Sequence, residues 1–416
     1  MSAQSITHLR RIGSGSVLML GLIVGLIVLF CCGWLVGWNP TWRTLGVTPL
    51  EPHFFDMHVT LDYATCAAKG IDPYIPHACN LANFNLPPIW LWVSYLGLNG
   101  TDAPWLSVAM IAIALGVMVF LFKGRRGGDG LLALFAILSP SVMMGFERAN
   151  PDLLIFAMAG GAALVYRQRK IGAVLATITL LSAGIVLKLF PMFCVALAAR
   201  YNRRTLCFAA VITAIFLVYV LLIWKYLFLI RSNVPTTFML SYGYKALFLG
   251  IDHLRAEAGL SPMGLAETWV PALTSIFVVI FSAALAVSNF RNGRMTCTVP
   301  DTAAGTAFFF GGGIYCGTFL LGTNFIYRLT FLLLCLPQLQ EWQNQKDLDG
   351  ARGTVVERGL LIALFAVLWL NGNSNGHTTF LLLPQLADWL LFFGLAAVLL
   401  SNLLNTLCAR PPRRPR

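Results

Sequence analysis

Charge is scarce in this chain, and negative charge is the scarcer kind. Only 11% of its 416 residues are charged, 17 acidic against 29 basic, whereas 58% are hydrophobic. Soluble domains carry about 25% charged residues, so the composition excludes a water-soluble fold and indicates an all-α polytopic membrane protein. Other absences narrow the chemistry. There is no G-x-x-x-x-G-K-[ST], which excludes a P-loop ATPase, and no H-E-x-x-H, which excludes that class of zinc hydrolase. The ten cysteines show no C-x-x-C or Cys/His ligand spacing, so no metal site is expected. Tandem repeats, Gly/Ser linkers and low-complexity stretches are missing too. Residues 1–416 therefore read as a single integral membrane domain.

The surplus of +12 could signal nucleic acid, but its placement decides otherwise. Arg10/Arg11, Lys123/Arg125/Arg126, Arg167/Arg169/Lys170, Arg200/Arg203/Arg204, Arg291/Arg294 and the tail from Arg410 to Arg416 are short clusters between apolar runs. That is the pattern of retained cytoplasmic loops, so no nucleic-acid partner is expected. Val17–Val36 is long enough to span, and a basic N-terminus inside sends the following loop out. Continued along the chain, the rule yields about twelve crossings with both termini cytoplasmic. It also yields a first outer loop at 38–88, a second at 231–268 containing an interfacial helix, and a cytoplasmic tail at 408–416. Ile171–Arg200 starts and ends at basic clusters and contains Pro191, so it reads as a hairpin with KLFP near its outer tip; a single long helix is the alternative.

The interval from Pro52 to Trp90 is polar, aromatic and rich in turn residues, and it reads as folded outside the bilayer. It offers Asp56, Asp62 and Asp72 as acid/base groups. Phe54, Phe55 and Met57 would bury the first and raise its proton affinity toward that of a working base. Asp62 and Asp72 also read as solvated loop residues or caps, and GIDPY is a turn by composition. Cys66 and Cys79 share this loop, and a disulfide between them is expected in an oxidising compartment, two reduced thiols being the alternative.

Further along, Arg148 and Asp152 flank Asn150 at an outer turn, where local pairing and capping compete with a functional reading. Lys188 sits among Val186, Leu187, Leu189 and Phe190, and either snorkels or faces a polar cavity. Arg328 poses the same question. Two or three cations converging at one face would suit an anionic phosphate. Pro191 and the Gly311–Gly313 run could instead be broken helices of a transporter.

Taken in order, these motifs resemble glycosyltransferase family 87. Asp56 is followed by G-I-D-P-Y from Gly70 and F-N-L-P-P-I-W from Phe84; then come ERANPDLLIFAMAGGAAL, AGIVLKLFPMFCVAL and GTNFIYRLTFLL. Ala149 stands where the family usually has Gly, Pro151 lies within the N-x-D element, and Leu86 and Phe190 replace tyrosines. The polar positions are kept.

The resemblance implies a GT-C-like membrane glycosyltransferase that takes a sugar from a polyprenyl phosphate, with inversion, onto a glycan or glycolipid hydroxyl. It further implies a bacterial inner-membrane protein, in contact with membrane lipids, whose site faces the periplasm or cell exterior. No cofactor beyond the lipid-linked donor and no metal is implied. By position, Asp56 is the general base; Lys188, Arg148 and Arg328 hold the donor phosphate; and Asn150, Asp152, Tyr74, Asn85 and Tyr327 contact substrate. The alternative class is a transporter or flippase of polyprenyl-linked intermediates, which would need polar groups near mid-membrane rather than a carboxylate in an outer loop.

Overall fold

Backbone groups in hydrocarbon must bond to one another, and a helix achieves this within one segment. The computed structural model is accordingly almost entirely helical. It describes residues 13–408 apart from 80, 82, 83, 169, 235, 236, 292–297, 350–354 and 373–381. Arg10, Arg11, Arg169, Arg294 and the tail beyond Cys408 lie outside the described residues.

The chain runs α1 (Ser14–Val36), α2 (Trp38–Thr44), α3 (Phe55–Ala68), a 3₁₀ segment Pro88–Leu96, α4 (Ala103–Phe122), α5 (Gly127–Ile137), α6 (Pro140–Arg148), α7 (Asp152–Tyr166) and α8 (Ile171–Leu187). A second 3₁₀ segment, Phe190–Arg200, leads to α9 (Arg203–Ser232), β1 (Ser241–Tyr242), α10 (Ala246–Glu257), α11 (Val270–Arg291) and α12 (Ala303–Phe319). There follow β2 (Asn324–Phe325), a third 3₁₀ segment Ile326–Leu334, α13 (Leu336–Asp349), α14 (Val355–Leu370) and α15 (Leu383–Cys408). The two strands pair antiparallel, Ser241 with Phe325 and Tyr242 with Asn324.

Among the described residues five helices are long and apolar enough to cross a bilayer alone: Ser14–Val36, Gly100–Phe122, Arg203–Ser232, Val270–Ser288 and Leu383–Leu407. The α5–α6 pair makes a sixth if its 62° bend is taken within one span. Leu20, Phe30 and Leu35 of α1, Leu221, Leu222 and Phe228 of α9, and Phe277 and Ile280 of α11 are exposed. Apolar surface on that scale requires an apolar solvent, and the protein is an all-α, multi-pass membrane protein.

Two expectations about breaks resolve in opposite directions. The apolar run across residues 171–200 does not continue as one helix; α8 ends at Leu187 and Lys188 is extended, with φ −154° and ψ 128°. Pro191 explains this, because it has no N–H to give the Leu187 carbonyl and its ring collides with that carbonyl in a helix. The Gly311–Gly313 run, by contrast, leaves α12 continuous. Its glycines serve close packing: a Cβ at Gly311 would lie 2.6 Å from the Phe331 carbonyl oxygen, and one at Gly313 2.4 Å from that of Phe193. With Phe308, Phe309, Phe310 and Ile314 fully buried, α12 is the inner helix of the bundle. The apolar stretch from Leu131 to Gly145 is likewise two helices, bent where Pro140 opens α6.

Candidate functional site

Asp56 is the second residue of α3, and its position is set from outside that helix. The residue before α3, Phe54, has φ 60° and ψ 40°, a left-handed conformation that an aromatic residue adopts at a cost of roughly 1 kcal/mol. Glu147 holds the segment there. Its carbonyl accepts from the Phe54 N–H at 3.1 Å, and its carboxylate from the Leu50 N–H at 2.8 Å. Asp56 thus lies at a helix N-terminus, where the dipole favours negative charge.

The ERANPD turn joins α6 to α7, and Ala149, Asn150 and Pro151 shape it. Ala149 is left-handed, with φ 47° and ψ 50°, the conformation that ends many helices and that glycine takes most readily. The Asn150 side-chain oxygen accepts from the Asp152 N–H at 2.9 Å and so caps α7. Pro151, whose fixed φ suits a helix start, sits between them.

Lys188 reaches the same place from the break after α8. The carbonyls freed there are met by side chains: Trp90 Nε1 donates to Leu187 at 2.9 Å and the Tyr219 hydroxyl to Val186 at 2.7 Å. Lys188 Nζ donates to the Asp152 carboxylate and, at 3.1 Å, to Asn150 Oδ1. Arg328 follows β2, and its Nε donates to the other Asp152 oxygen at 3.0 Å, while a terminal nitrogen donates to Asn324. Asp152 is 1% exposed, so one buried carboxylate is shared by two cations.

Asn150 completes the arrangement, because its Nδ2 donates to Asp56 Oδ2 at 2.6 Å. Asp56 Oδ1 has no hydrogen-bond partner among the described residues. Arg148 makes no hydrogen bond or ion pair among them either, lying over the Phe325 ring at 5.7 Å. Both face a cavity of about 500 Å³ that Asn150, Lys188, Asn85 and Tyr327 also line. Burial raises the Asp56 carboxyl above the usual carboxylate range, opposed by Arg148, the Asn150 hydrogen bond and Lys188.

Not every expected residue is in this cavity. Asp152 and Arg328 stand behind it, bonded to Lys188 and Asn324, so they are supports rather than lining. Tyr74 is placed differently from the expected substrate contact. Its hydroxyl donates to the Leu86 carbonyl at 2.8 Å, and its ring packs on Phe84 and Tyr226. Asp72 caps its own turn by accepting from the Tyr74 N–H at 2.9 Å, and Asp62 lies against Gly100, so neither lines the cavity. Cys66 and Cys79 are joined in a disulfide that ties α3 to the loop after it.

In the sequence Glu147 is only a neighbour of Arg148, and no local signal assigns Phe325, Tyr63, Phe84 or Asn233 to the cavity that they line. Asn233 ends α9 and donates to the Phe84 carbonyl at 2.9 Å, a polar cap whose target no local pattern reveals. Among the described residues no group of three or more His, Cys, Asp and Glu is placed to hold a metal ion.

No protein-family model, no curated protein and no solved structure matches this chain.

Proposed function

We propose that this protein is a membrane glycosyltransferase that moves a sugar from a polyprenyl phosphate to a hydroxyl of a glycan or glycolipid, at the outer face and with inversion. The observation that carries the reading is a carboxylate with one oxygen unengaged, and a guanidinium unpaired, among the described residues, both facing one cavity: Asp56 and Arg148. Asp56 Oδ1 takes the acceptor hydroxyl proton as the acceptor oxygen bonds to the anomeric carbon. The bond from that carbon to the phosphate oxygen breaks, and its electron pair leaves with polyprenyl phosphate. Arg148 and Lys188 stabilise the charge that develops there. The triad of Lys188, Asp152 and Arg328 carries one net positive charge, so Arg148 is the principal phosphate contact and Lys188 the second.

The same reading puts both chain ends on the cytoplasmic side with about twelve crossings, the shorter helices included. The site then faces the periplasm or cell exterior of a bacterial inner membrane.

One observation speaks for a transporter. Asp388 is 1% exposed and accepts from Asn371 Nδ2 at 3.3 Å, with the Tyr315 hydroxyl on its carbonyl at 2.9 Å. It is a buried polar group on a spanning helix, which the sequence reading did not expect. Only five residues after the start of α15, however, it lies about 8 Å inside the helix end rather than at mid-membrane.

The test is transfer from polyprenyl-phosphate sugars by the purified protein in detergent or proteoliposomes. Asp56→Asn is expected to lose about 10² to 10⁴-fold, with Asp62→Asn and Asp72→Asn losing far less. Donor translocation without transfer, unaffected by Asp56→Asn, would move the protein to the transporter class.

A further inference from the structure

A single side chain joins the two ends of this site. Asn150 receives a hydrogen bond from Lys188 at its oxygen, 3.1 Å away, and gives one from its nitrogen to Asp56 Oδ2, 2.6 Å away. The amide oxygen also caps the Asp152 N–H, so the group is held from three directions. Asn150 is 4% exposed, and rotating its amide would face its NH₂ toward both the Asp152 N–H and the Lys188 ammonium, donor against donor. The orientation is therefore dictated by its partners: the oxygen toward Lys188, the nitrogen toward Asp56.

We infer that Asn150 is a positioning residue, an amide bridge that couples the proton affinity of Asp56 to the charge of Lys188. The inference rests on the glycosyltransferase reading for its consequence but not for its geometry. An amide is conjugated from oxygen to nitrogen, so a cation on the oxygen draws electron density from the nitrogen and strengthens its N–H donation. A strengthened donor favours the ionised carboxylate and fixes Oδ2, which leaves Oδ1 alone to receive the acceptor proton. Without the bridge, Asp56 would be a buried carboxylate with two equivalent oxygens and an undefined direction of attack.

Other groups also act on Asp56 through space. Arg148 and Lys188 favour its ionised form and Asp152 opposes it, while Glu147, Tyr63, Tyr327 and His77 complete the titratable surroundings among the described residues. The bridge is separable from these because, among the described residues, it alone contributes a hydrogen bond to the carboxylate.

Two substitutions isolate it. Asn150→Asp keeps an oxygen for Lys188 and for the α7 cap but replaces the donor to Asp56 with a second carboxylate. Asn150→Ala removes all three contacts. Infrared titration of the Asp56 carboxyl, assigned by its loss in Asp56→Asn, is carried out in nanodiscs without substrate. Asn150→Asp is expected to raise the Asp56 midpoint by more than about one pH unit and Asn150→Ala by less. The acid limb of transfer is expected to move with each, and Asn150→Asp activity to recover at alkaline pH.

A residue that merely supports the turn would leave the Asn150→Ala midpoint unmoved in a folded variant, whereas the carboxylate of Asn150→Asp repels Asp56 with or without the bridge. An unmoved Asn150→Ala midpoint in a protein that keeps the Cys66–Cys79 disulfide and wild-type melting overturns the bridge. Shifted midpoints in a protein that transfers no sugar would keep the bridge and overturn the glycosyltransferase reading instead.

Discussion

The shared carboxylate makes an asymmetric prediction. Lys188, Asp152 and Arg328 form a triad with two positive charges and one negative, in which Lys188 and Asp152 are buried and Arg328 is partly buried. Removing either cation leaves one balanced pair, whereas removing the anion leaves two cations facing each other, Lys188 buried and Arg328 partly buried, with only the through-space attraction of Asp56 to oppose Lys188. Stranding a buried charge in this way costs about 3–5 kcal/mol, and Asp152→Asn, which strands two, belongs at the upper end. That is a large part of the roughly 5–15 kcal/mol by which folded domains are stable. Lys188→Met and Arg328→Met retain a neutral pair, and the methionine stem fills the space of the side chain it replaces, so each should melt much closer to wild type. The Asp152→Asn/Lys188→Met double variant leaves one cation and should fall between. The assay is apparent melting temperature in one detergent for all five proteins, alongside transfer rates. If the protein is a glycosyltransferase, Lys188→Met folds but uses donor poorly, and Asp152→Asn fails at folding first. Asp152→Asn protein that melts with the wild type, or no lower than Lys188→Met, would refute the charge-sharing argument.

Other outcomes follow from the same geometry. Because burial raises Asp56 above the usual carboxylate range and a base must be ionised, transfer should fall as pH drops through that raised value, with the limb above the position expected of a free aspartate. The sign for stability is opposite: the Asp56 contribution is most favourable below its unfolded value of about 3.9 and is lost as pH rises through the folded one. Asp56→Asn should therefore be inactive yet melt higher than wild type at neutral pH, the two converging in acid. Ala149→Gly should raise stability by up to about 1 kcal/mol, since the left-handed conformation costs alanine more than glycine; an unchanged or lower melting temperature would argue against that conformation. The Cys66–Cys79 link closes a sequence separation of 13 residues, and its reduction should cost about 3 kcal/mol. Alkylation of both thiols in intact membranes without prior reduction would contradict the bond.

Much of this protein was legible as a sequence because the relevant physics is local. A bilayer selects apolar runs by composition, so membrane class and the five long helices follow from hydropathy alone. Pro191 breaks the chain after α8 by its own covalent chemistry, and GIDPY turns by its own composition. The motifs around Asp56, Arg148, Asn150, Lys188 and Arg328 could be singled out because polar residues are conspicuous in an apolar chain. Local patterns do not say which of these meet. The bond from Arg328 to Asp152 spans 176 positions and that from Asn150 to Asp56 spans 94, and both depend on how helices pack. Packing therefore decided that Asp152 supports the cavity rather than lining it, and that Arg148 faces the cavity with no hydrogen bond or ion pair among the described residues. It also decided that Tyr74 spends its hydroxyl on Leu86, that Glu147 clamps the approach to α3, and that Asp388 is buried on a helix whose hydropathy gave no warning of it. The physical reason is the same in each case: hydropathy is a property of a segment and its solvent, whereas a hydrogen bond or ion pair is a property of two segments and the geometry between them.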